Sequence, residues 1–144
     1  MGRLAEYNWK NKLILVVDDD RASSLLLEVL ISKTGAKIIF ASNGEKAIEI
    51  FLNTKGIDLI LMDIKMNGMS GIDATKVIRG YDRDVPIIAQ TACVVSGDRE
   101  LCLKSGCNEY VSKPIIAEDL MKLMNSFLDS SIVRRSSPTL FSKN

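Results

Sequence analysis

The chain has 144 residues, of which 47% are hydrophobic and 26% are charged, and this length and composition predict one globular domain. Its 19 basic and 18 acidic side chains leave a formal net charge of +1, so we expect no long-range attraction to nucleic acid or to an anionic membrane surface. The sequence has no histidine, which excludes Ser-His-Asp and Cys-His triads and zinc sites built on imidazole, so any histidine chemistry must come from a partner.

Five short apolar runs alternate along the chain with segments of helical spacing. The runs cover residues 13–17, 37–41, 58–62, 86–90 and 108–112, and each has the length of a strand. The helical segments begin near residues 21, 44, 72, 97 and 118. In the first of them, the helical spacing that predicts a helix up to residue 33 is that of Leu25, Leu26, Val29 and Leu30.

Five near-continuous apolar strands, each followed by a helix, predict a parallel sheet that helices cover on both faces. Right-handed crossovers in so short a chain favour the doubly wound strand order 2-1-3-4-5. A ligand site then lies beyond the carboxyl ends of the strands. We therefore predict a single α/β domain over residues 12–128, with an N-terminal extension at residues 1–11 and a Ser-rich, basic tail or linker at residues 129–144.

Polar side chains follow four of the five predicted strands. They are Asp18, Asp19 and Asp20 after the first strand, Asp63 after the third, Thr91 after the fourth and Lys113 after the fifth. Carboxylates that converge on one edge of a sheet repel each other unless a cation neutralises them, and Mg²⁺ suits such oxygen ligands. An aspartate in this setting can attack a phosphoryl group and form an acyl phosphate, while a lysine and a hydroxyl neutralise the phosphoryl oxygens.

Four residues have simpler predicted roles. Asp20 is expected to cap the first helix, because acidic residues are favoured at helix starts.

The three cysteines, Cys93, Cys102 and Cys107, show no C-x-x-C pair. We therefore expect each of them to be a small, buried, apolar side chain, as in a protein of a reducing compartment, here the cytoplasm.

Four strings, ILVVDDD, LILMDIKMNGMSG, PIIAQTA and NEYVSKP, resemble in their order and spacing the receiver domain of two-component response regulators. The resemblance covers residues 12–128 and implies the flavodoxin-like version of the predicted sheet. It also implies a signalling domain rather than an enzyme. Such a domain takes a phosphoryl group from a phosphohistidine on a sensor histidine kinase or a histidine phosphotransfer partner.

The resemblance assigns a role to each of the acidic residues by motif position. Asp63 resembles the phosphoacceptor. Asp18 and Asp19 resemble the acidic pair that binds Mg²⁺, with Asp19 as the direct ligand. The backbone carbonyl of Lys65 stands at the position that completes the protein's share of the metal ligands.

The same resemblance assigns the phosphoryl-binding groups and the switch. Thr91 and the backbone amide of Ala92 resemble the groups that bind the phosphoryl oxygens, and Lys113 resembles the lysine that pairs with them. Tyr110 resembles the aromatic residue that turns inward when the threonine moves. The implied signalling surface, which could serve a homodimer or an output partner, covers residues 96–105, 108–112 and 118–128.

The sequence departs from the family pattern at two places. Asn67 and Gly68 stand in the loop where the family usually has proline, so we expect a left-handed turn there. Lys65 and Cys93, two residues after the acceptor and the threonine, offer no carboxylate or amide to orient an attacking water. A long-lived phosphoryl group is therefore expected.

Two other functions share parts of this pattern. An aspartyl phosphatase would use Asp18 as its nucleophile, but Ala22 stands where that motif has Thr or Val. A flavodoxin-like module would bind FMN, but three carboxylates after the first strand would repel its phosphate. Within the receiver family, the chain fits a stand-alone receiver or part of a hybrid sensor kinase, and we expect neither direct nucleic-acid binding nor membrane insertion.

Overall fold

Strands and helices alternate throughout the computed structural model, which describes residues 7–91 and 98–129. The elements are β1 (Leu13–Val17), α1 (Arg21–Ser32), β2 (Lys37–Ala41), α2 (Gly44–Asn53), β3 (Leu59–Asp63), α3 (Gly71–Tyr81), β4 (Ile87–Thr91), α4 (Asp98–Ser105), β5 (Glu109–Ser112) and α5 (Ala117–Leu128). All neighbouring strands pair in parallel, in the order β2-β1-β3-β4-β5. The predicted doubly wound order is therefore confirmed, and the carboxyl ends of the strands meet at one edge.

The third and fourth strands end one residue later than predicted. Asp63 pairs with Gln90, and Thr91 pairs with Ser112. The sequence prediction ended these strands at Met62 and Gln90, whereas the backbone ladder continues through the polar residue that follows each of them. Asp63 and Thr91 are thus held by the hydrogen bonds of the sheet rather than by a loop.

Successive side chains of each strand point to opposite faces of the sheet, and they contribute to two hydrophobic cores, one on each face. On one face, residues such as Leu15 and Met62 pack against α2, α3 and α4. On the other face, residues such as Val16 and Leu61 pack against α1 and α5. None of the helices in residues 7–91 and 98–129 combines the length and apolar character needed to cross a bilayer.

The first helix exposes most of the apolar residues whose spacing identified it. Leu25, Leu26 and Val29 are 47%, 46% and 55% exposed, whereas Leu27 and Ile31 are buried along with Leu30. Helical spacing was sufficient to predict the helix, but α1 is apolar around much of its circumference. Only packing against the sheet and α5 decides which residues are buried.

Trp9 attaches the segment before β1 to the core. Its side chain is 2% exposed, and its Nε1 donates a hydrogen bond to Oδ1 of Asn125 in α5 at 2.8 Å. Its backbone N–H donates to the carbonyl of Thr34 at 2.8 Å, and its ring stacks on Tyr7 with centroids 5.5 Å apart. Residues directly before β1 therefore pack on the α1 and α5 side, at the edge of the sheet opposite the strand carboxyl ends.

Two of the three cysteines have the predicted character. Cys102 and Cys107 are buried thiols in the core on the α2, α3 and α4 side. The Cys107 Sγ lies 3.8 Å from the Thr75 hydroxyl, in hydrogen-bonding range for sulfur. Cys93 lies outside the described residues.

Candidate functional site

Three carboxylates lie together at the carboxyl edge of the sheet. Asp18 and Asp19 directly follow β1, and Asp63 is the last residue of β3. One oxygen from each lies within 4.8 Å of the others. Asp18 and Asp63 are each 4% exposed, while Asp19 is exposed to solvent. Clustered carboxylate oxygens of this kind, with one side open to water, suit a small hard cation such as Mg²⁺.

Lys113 provides the positive charge that faces two of these carboxylates. Its Nζ lies 3.1 Å from Oδ2 of Asp18, to which it donates a hydrogen bond, and 3.6 Å from Oδ2 of Asp63. Lys113 directly follows β5, and its backbone N–H donates to the carbonyl of Thr91 at 2.7 Å. One ammonium thus serves two buried carboxylates, and the site keeps an excess of negative charge.

That excess charge is reflected in the acidity of Asp63. Burial of the side chain, followed by repulsion from Asp18, raises the pKa of Asp63 to about 7. Lys113 and a hydrogen bond with the backbone of Lys65 oppose the increase. A cation bound among the carboxylates would favour the ionised form of Asp63, so the site is electrostatically suited to one.

Thr91 and Tyr110 lie on the neighbouring strands β4 and β5. Thr91, the last residue of β4, is 1% exposed, and its carbonyl accepts the hydrogen bond from the backbone N–H of Lys113. Tyr110 pairs with Ala89 in the ladder and packs, partly buried, against the core on the α2, α3 and α4 side. Ala92, the predicted amide donor, lies outside the described residues.

The loop after β3 contacts the acidic pair through a bond that the sequence did not reveal. The backbone N–H of Asn67 donates to Oδ2 of Asp19 at 3.0 Å. Gly68 follows with φ of +79°, which is the left-handed conformation expected for the Asn-Gly turn. Asp19 is therefore oriented by the same loop that contains Lys65.

Asp20 stands at the N-cap of α1, as predicted, but its side chain bonds differently from a typical cap. Its Oδ2 accepts a hydrogen bond from the Ser23 hydroxyl at 2.8 Å, and this bond lowers the pKa of the exposed Asp20 carboxyl. Its backbone N–H donates to Oδ1 of Asp18 at 2.9 Å. Asp20 thereby helps to orient Asp18 without joining the carboxylate cluster.

Gly71, the first residue of α3, is a site residue that sequence reasoning missed. A Cβ at this position would lie 2.1 Å from the carbonyl oxygen of Asp63 and 2.9 Å from its carbonyl carbon. The Gly71 N–H donates to the carbonyl of Ile64 at 3.0 Å. Only glycine allows α3 to begin directly against the end of β3, and the Gly after Ser70 at the end of the second motif, LILMDIKMNGMSG, was the available signal.

We predict that Gly71→Ala costs about 2 to 4 kcal/mol of the free energy of unfolding, because a clash with backbone cannot be relieved by a change of rotamer. Urea unfolding followed by circular dichroism measures the loss. Gly80→Ala in the same helix is the matched control, since a Cβ there meets no atom within 4 Å in the described residues. It should gain up to about 1 kcal/mol. Equal effects of the two substitutions would contradict the close approach of α3 to Asp63.

A cleft of about 700 Å³ opens from the carboxylates between α1 and α2. Asp18 and Asp19 lie at one end, and Leu25 and Phe40 line its walls together with charged residues of both helices. The acidic pair is thus open to solvent on this flank of α1, with room for a cation beside Asp18 and Asp19.

The family model described as the response regulator receiver domain matches residues 14–125 of the chain. This chain therefore belongs to the receiver domain family of two-component response regulators. The polar-differentiation response regulator DivK of Brucella anthropi is 34% identical over 119 residues, which cover 81% of this chain and 96% of DivK. The chain is also 34% identical to parts of two histidine kinases, hybrid kinase I of Dictyostelium discoideum and GacS of Pseudomonas protegens. It spans only 8% and 12% of the lengths of these two proteins.

Solved structures agree with this assignment. The receiver domain of sensor histidine kinase PA1611 from Pseudomonas aeruginosa, with a magnesium ion coordinated in its active site cleft, has a TM-score of 0.76 and 32% identity, covering 83% of this chain and 98% of that one. The receiver domain of Saccharomyces cerevisiae Ssk1, in complex with the histidine phosphotransfer protein Ypd1, has a TM-score of 0.78 and 28% identity. The match covers 85% of this chain and 92% of the Ssk1 domain. The chain is a receiver domain of a two-component phosphorelay.

Proposed function

We propose that Asp63 is the phosphoacceptor and that it takes its phosphoryl group from a phosphohistidine of a sensor histidine kinase or a histidine phosphotransfer protein. The observation that supports this choice is the position of Asp63 at the buried end of β3, with Asp18 and Asp19 on one side and Lys113 3.6 Å away. The missing histidine of this chain is then supplied by the partner.

The proposed metal ligands are the carboxylates of Asp18, Asp19 and Asp63 and the backbone carbonyl of Lys65. Bound Mg²⁺ would neutralise the phosphoryl oxygens and the excess charge of the carboxylates. Lys113 supplies the second positive charge. Thr91, with the backbone amide of Ala92, is proposed to donate hydrogen bonds to the remaining phosphoryl oxygens.

The transfer step needs no general base, because the ionised Asp63 is itself the nucleophile. An oxygen of Asp63 forms a bond to phosphorus while the bond between phosphorus and the imidazole nitrogen of the partner breaks. The electron pair of the broken bond stays on the imidazole, and the negative charge that the phosphoryl group brings is balanced by Lys113. The chemistry of the domain itself is limited to this transfer and to slow hydrolysis of its acyl phosphate.

Asp63 is a better nucleophile than Asp18, the residue that an aspartyl phosphatase would use. Both oxygens of Asp18 are occupied, one by the backbone N–H of Asp20 at 2.9 Å and the other by Lys113 at 3.1 Å. The FMN-binding alternative is also disfavoured, because the phosphate of FMN would meet the carboxylates of Asp18 and Asp19. Both observations support the receiver chemistry.

The proposed output is a change of the surface formed by α4, β5 and α5. Thr91 moves toward the phosphoryl group, and Tyr110 turns into the space it leaves, so a local charge alters a two-state surface. A homodimer or an output protein would dock on this surface, without direct contact to nucleic acid and without membrane insertion. The proposed compartment is the cytoplasm, where buried thiols such as Cys107 stay reduced.

Incubation with acetyl phosphate and Mg²⁺, followed by intact mass spectrometry, tests the proposed acceptor. We expect one phosphoryl group on the parent chain and none when the metal is chelated or when Asp63→Asn is used. Asp84→Asn, an exposed carboxylate at the opposite edge of the sheet, is the matched control and should be labelled like the parent. A label that persists in Asp63→Asn and maps to Asp18 would instead indicate the phosphatase chemistry.

A further inference from the structure

A second cleft, of about 270 Å³, lies on the other flank of α1, between that helix and the segment that joins β5 to α5. Its walls are mostly apolar and are formed by Ala22, Leu26, Leu27, Pro114 and Ile115. Three polar side chains also line it, namely Ser23, Gln90 and Lys113. The cleft therefore adjoins the phosphorylation site through Lys113, but the proposed transfer chemistry gives no role to Gln90.

Gln90 is buried without a hydrogen-bond partner. It is 1% exposed, and neither its Nε2 nor its Oε1 has a partner in residues 7–91 and 98–129. Its strand otherwise contributes apolar side chains to this face, as Ile88 does. An unpaired amide in such surroundings destabilises a fold, so a group that pairs with it on binding would recover a large part of that cost.

The chemistry of the site selects the occupant. A carboxamide needs a group that both donates and accepts hydrogen bonds, and a second carboxamide does so reciprocally. A carboxylate is disfavoured because Asp18 and Asp63 lie on the other side of Lys113, within 3.1 and 3.6 Å of its Nζ. Because the walls of the cleft are mostly apolar, the groups that surround the carboxamide of the occupant must be apolar as well.

The rim of the cleft indicates a protein rather than a free small molecule. Leu26 in the α1 wall and Val29 one turn further along the same helix are about half exposed, and Ile116, next to the wall residue Ile115, is 63% exposed. A row of exposed apolar side chains on both sides of a cleft is typical of a surface that another protein covers. Because Lys113 lines the cleft and its Nζ lies 3.6 Å from Asp63, a protein bound over Asp63 would also cover these side chains.

We propose that the cleft receives the carboxamide of a Gln or Asn side chain from the protein that delivers the phosphoryl group, and that Gln90 is its hydrogen-bond partner. The proposal rests on the phosphoacceptor function of Asp63 and adds to it a residue that determines specificity. Gln90 is not one of the groups that we propose to bind the metal or the phosphoryl group, so it acts in docking and not in the transfer step.

Benzamide is a suitable probe, with acetophenone as a control of the same shape that lacks the amide N–H groups. In ¹⁵N and methyl NMR titrations, benzamide should shift the Gln90 side-chain amide and the Leu26 and Ile115 methyls with a dissociation constant on the order of 10 mM. Acetophenone should bind at least about 5-fold more weakly, and Gln90→Leu should remove the difference. Equal binding of both probes, or none of benzamide, overturns the proposal.

The stability of Gln90→Leu gives an independent measurement. If the amide is unpaired in the isolated domain, leucine should raise the melting temperature by roughly 3 to 8 °C. A fall in melting temperature would mean that ordered water already satisfies Gln90, and it would overturn the proposal. A further variant tests the apolar wall of the cleft: Leu26→Ala should weaken benzamide binding. Leu52→Ala, at a similarly exposed leucine on α2, is its control and should leave benzamide binding unchanged.

A kinetic comparison distinguishes this proposal from the phosphoacceptor function. Labelling of Gln90→Leu by acetyl phosphate should match the parent, since the small donor does not fill the cleft. With a phosphorylated histidine phosphotransfer protein chosen because it labels the parent, Gln90→Leu should raise KM at least about 5-fold and leave kcat unchanged. An unchanged KM contradicts the docking role, whereas failure of both donors to label Asp63 contradicts the proposed function itself.

Discussion

Lys113→Met is expected to slow the phosphorylation of Asp63 by acetyl phosphate about 10²- to 10³-fold, the usual cost of removing one group that stabilises transferred charge. Lys113 is the ammonium 3.1 Å from Asp18 and 3.6 Å from Asp63. Without it, the incoming phosphoryl group meets uncompensated carboxylates, and the ionised nucleophile is itself less populated. Intact-mass time courses at saturating Mg²⁺ measure the rate.

The same substitution is expected to cost about 3 to 5 kcal/mol of the free energy of unfolding in metal-free buffer at pH 8, because it leaves buried carboxylates without their partner. The Asp18 side chain is fully buried and that of Lys113 is 16% exposed. Lys46→Met is the matched control, since its pair with Glu49 is 3.9 Å long and more than half exposed at both ends, and it should change stability by less than about 0.5 kcal/mol. Comparable losses in the two variants would contradict the role of Lys113 in charge compensation.

The convergence of Asp18, Asp63 and Lys113 could be predicted from sequence because it depends on topology alone. Parallel strands bring their carboxyl ends to one edge, so residues far apart in the chain meet once the strand order is known. The alternation of apolar runs and helical spacing predicted the strands and helices, and right-handed crossovers in so short a chain then favoured the strand order. The roles of Thr91 and Tyr110 in the switch stay predictions, since they concern a second state of the domain.

Other features depend on tertiary geometry that no local pattern encodes. The bond from Asn67 to Asp19 joins two loops that are 48 residues apart in the chain. The contact of Gly71 with Asp63 is a distance between backbones. The exposed side of α1, with Leu25 and Leu26, and the unpaired Gln90 become visible only when the packing partners of each face are known.

Asp63→Asn is expected to stabilise the metal-free domain by about 1 to 3 kcal/mol at pH 8, a range that allows for solvent screening at the open side of the site. Burial and repulsion from Asp18 raise the pKa of Asp63 to about 7 in the folded state, above its ordinary value of 3.8. Between these two values the folded chain binds a proton that the unfolded chain does not. Stability from Asp63 is therefore fully present below about pH 4 and is lost as the pH rises through 7.

Asparagine does not titrate, so its advantage over the parent should grow from pH 5 to pH 8. Urea unfolding of both chains at several pH values measures this difference, and Asp84→Asn serves as the control for loss of an exposed carboxylate far from the site. Mg²⁺ should reduce the advantage, because the ion binds the folded parent more tightly than a variant that lacks one of its carboxylates. A gain that does not vary with pH, or a loss at pH 8, would mean that Asp63 is not destabilised by its neighbours, and the electrostatic argument for a cation at this site would fail with it.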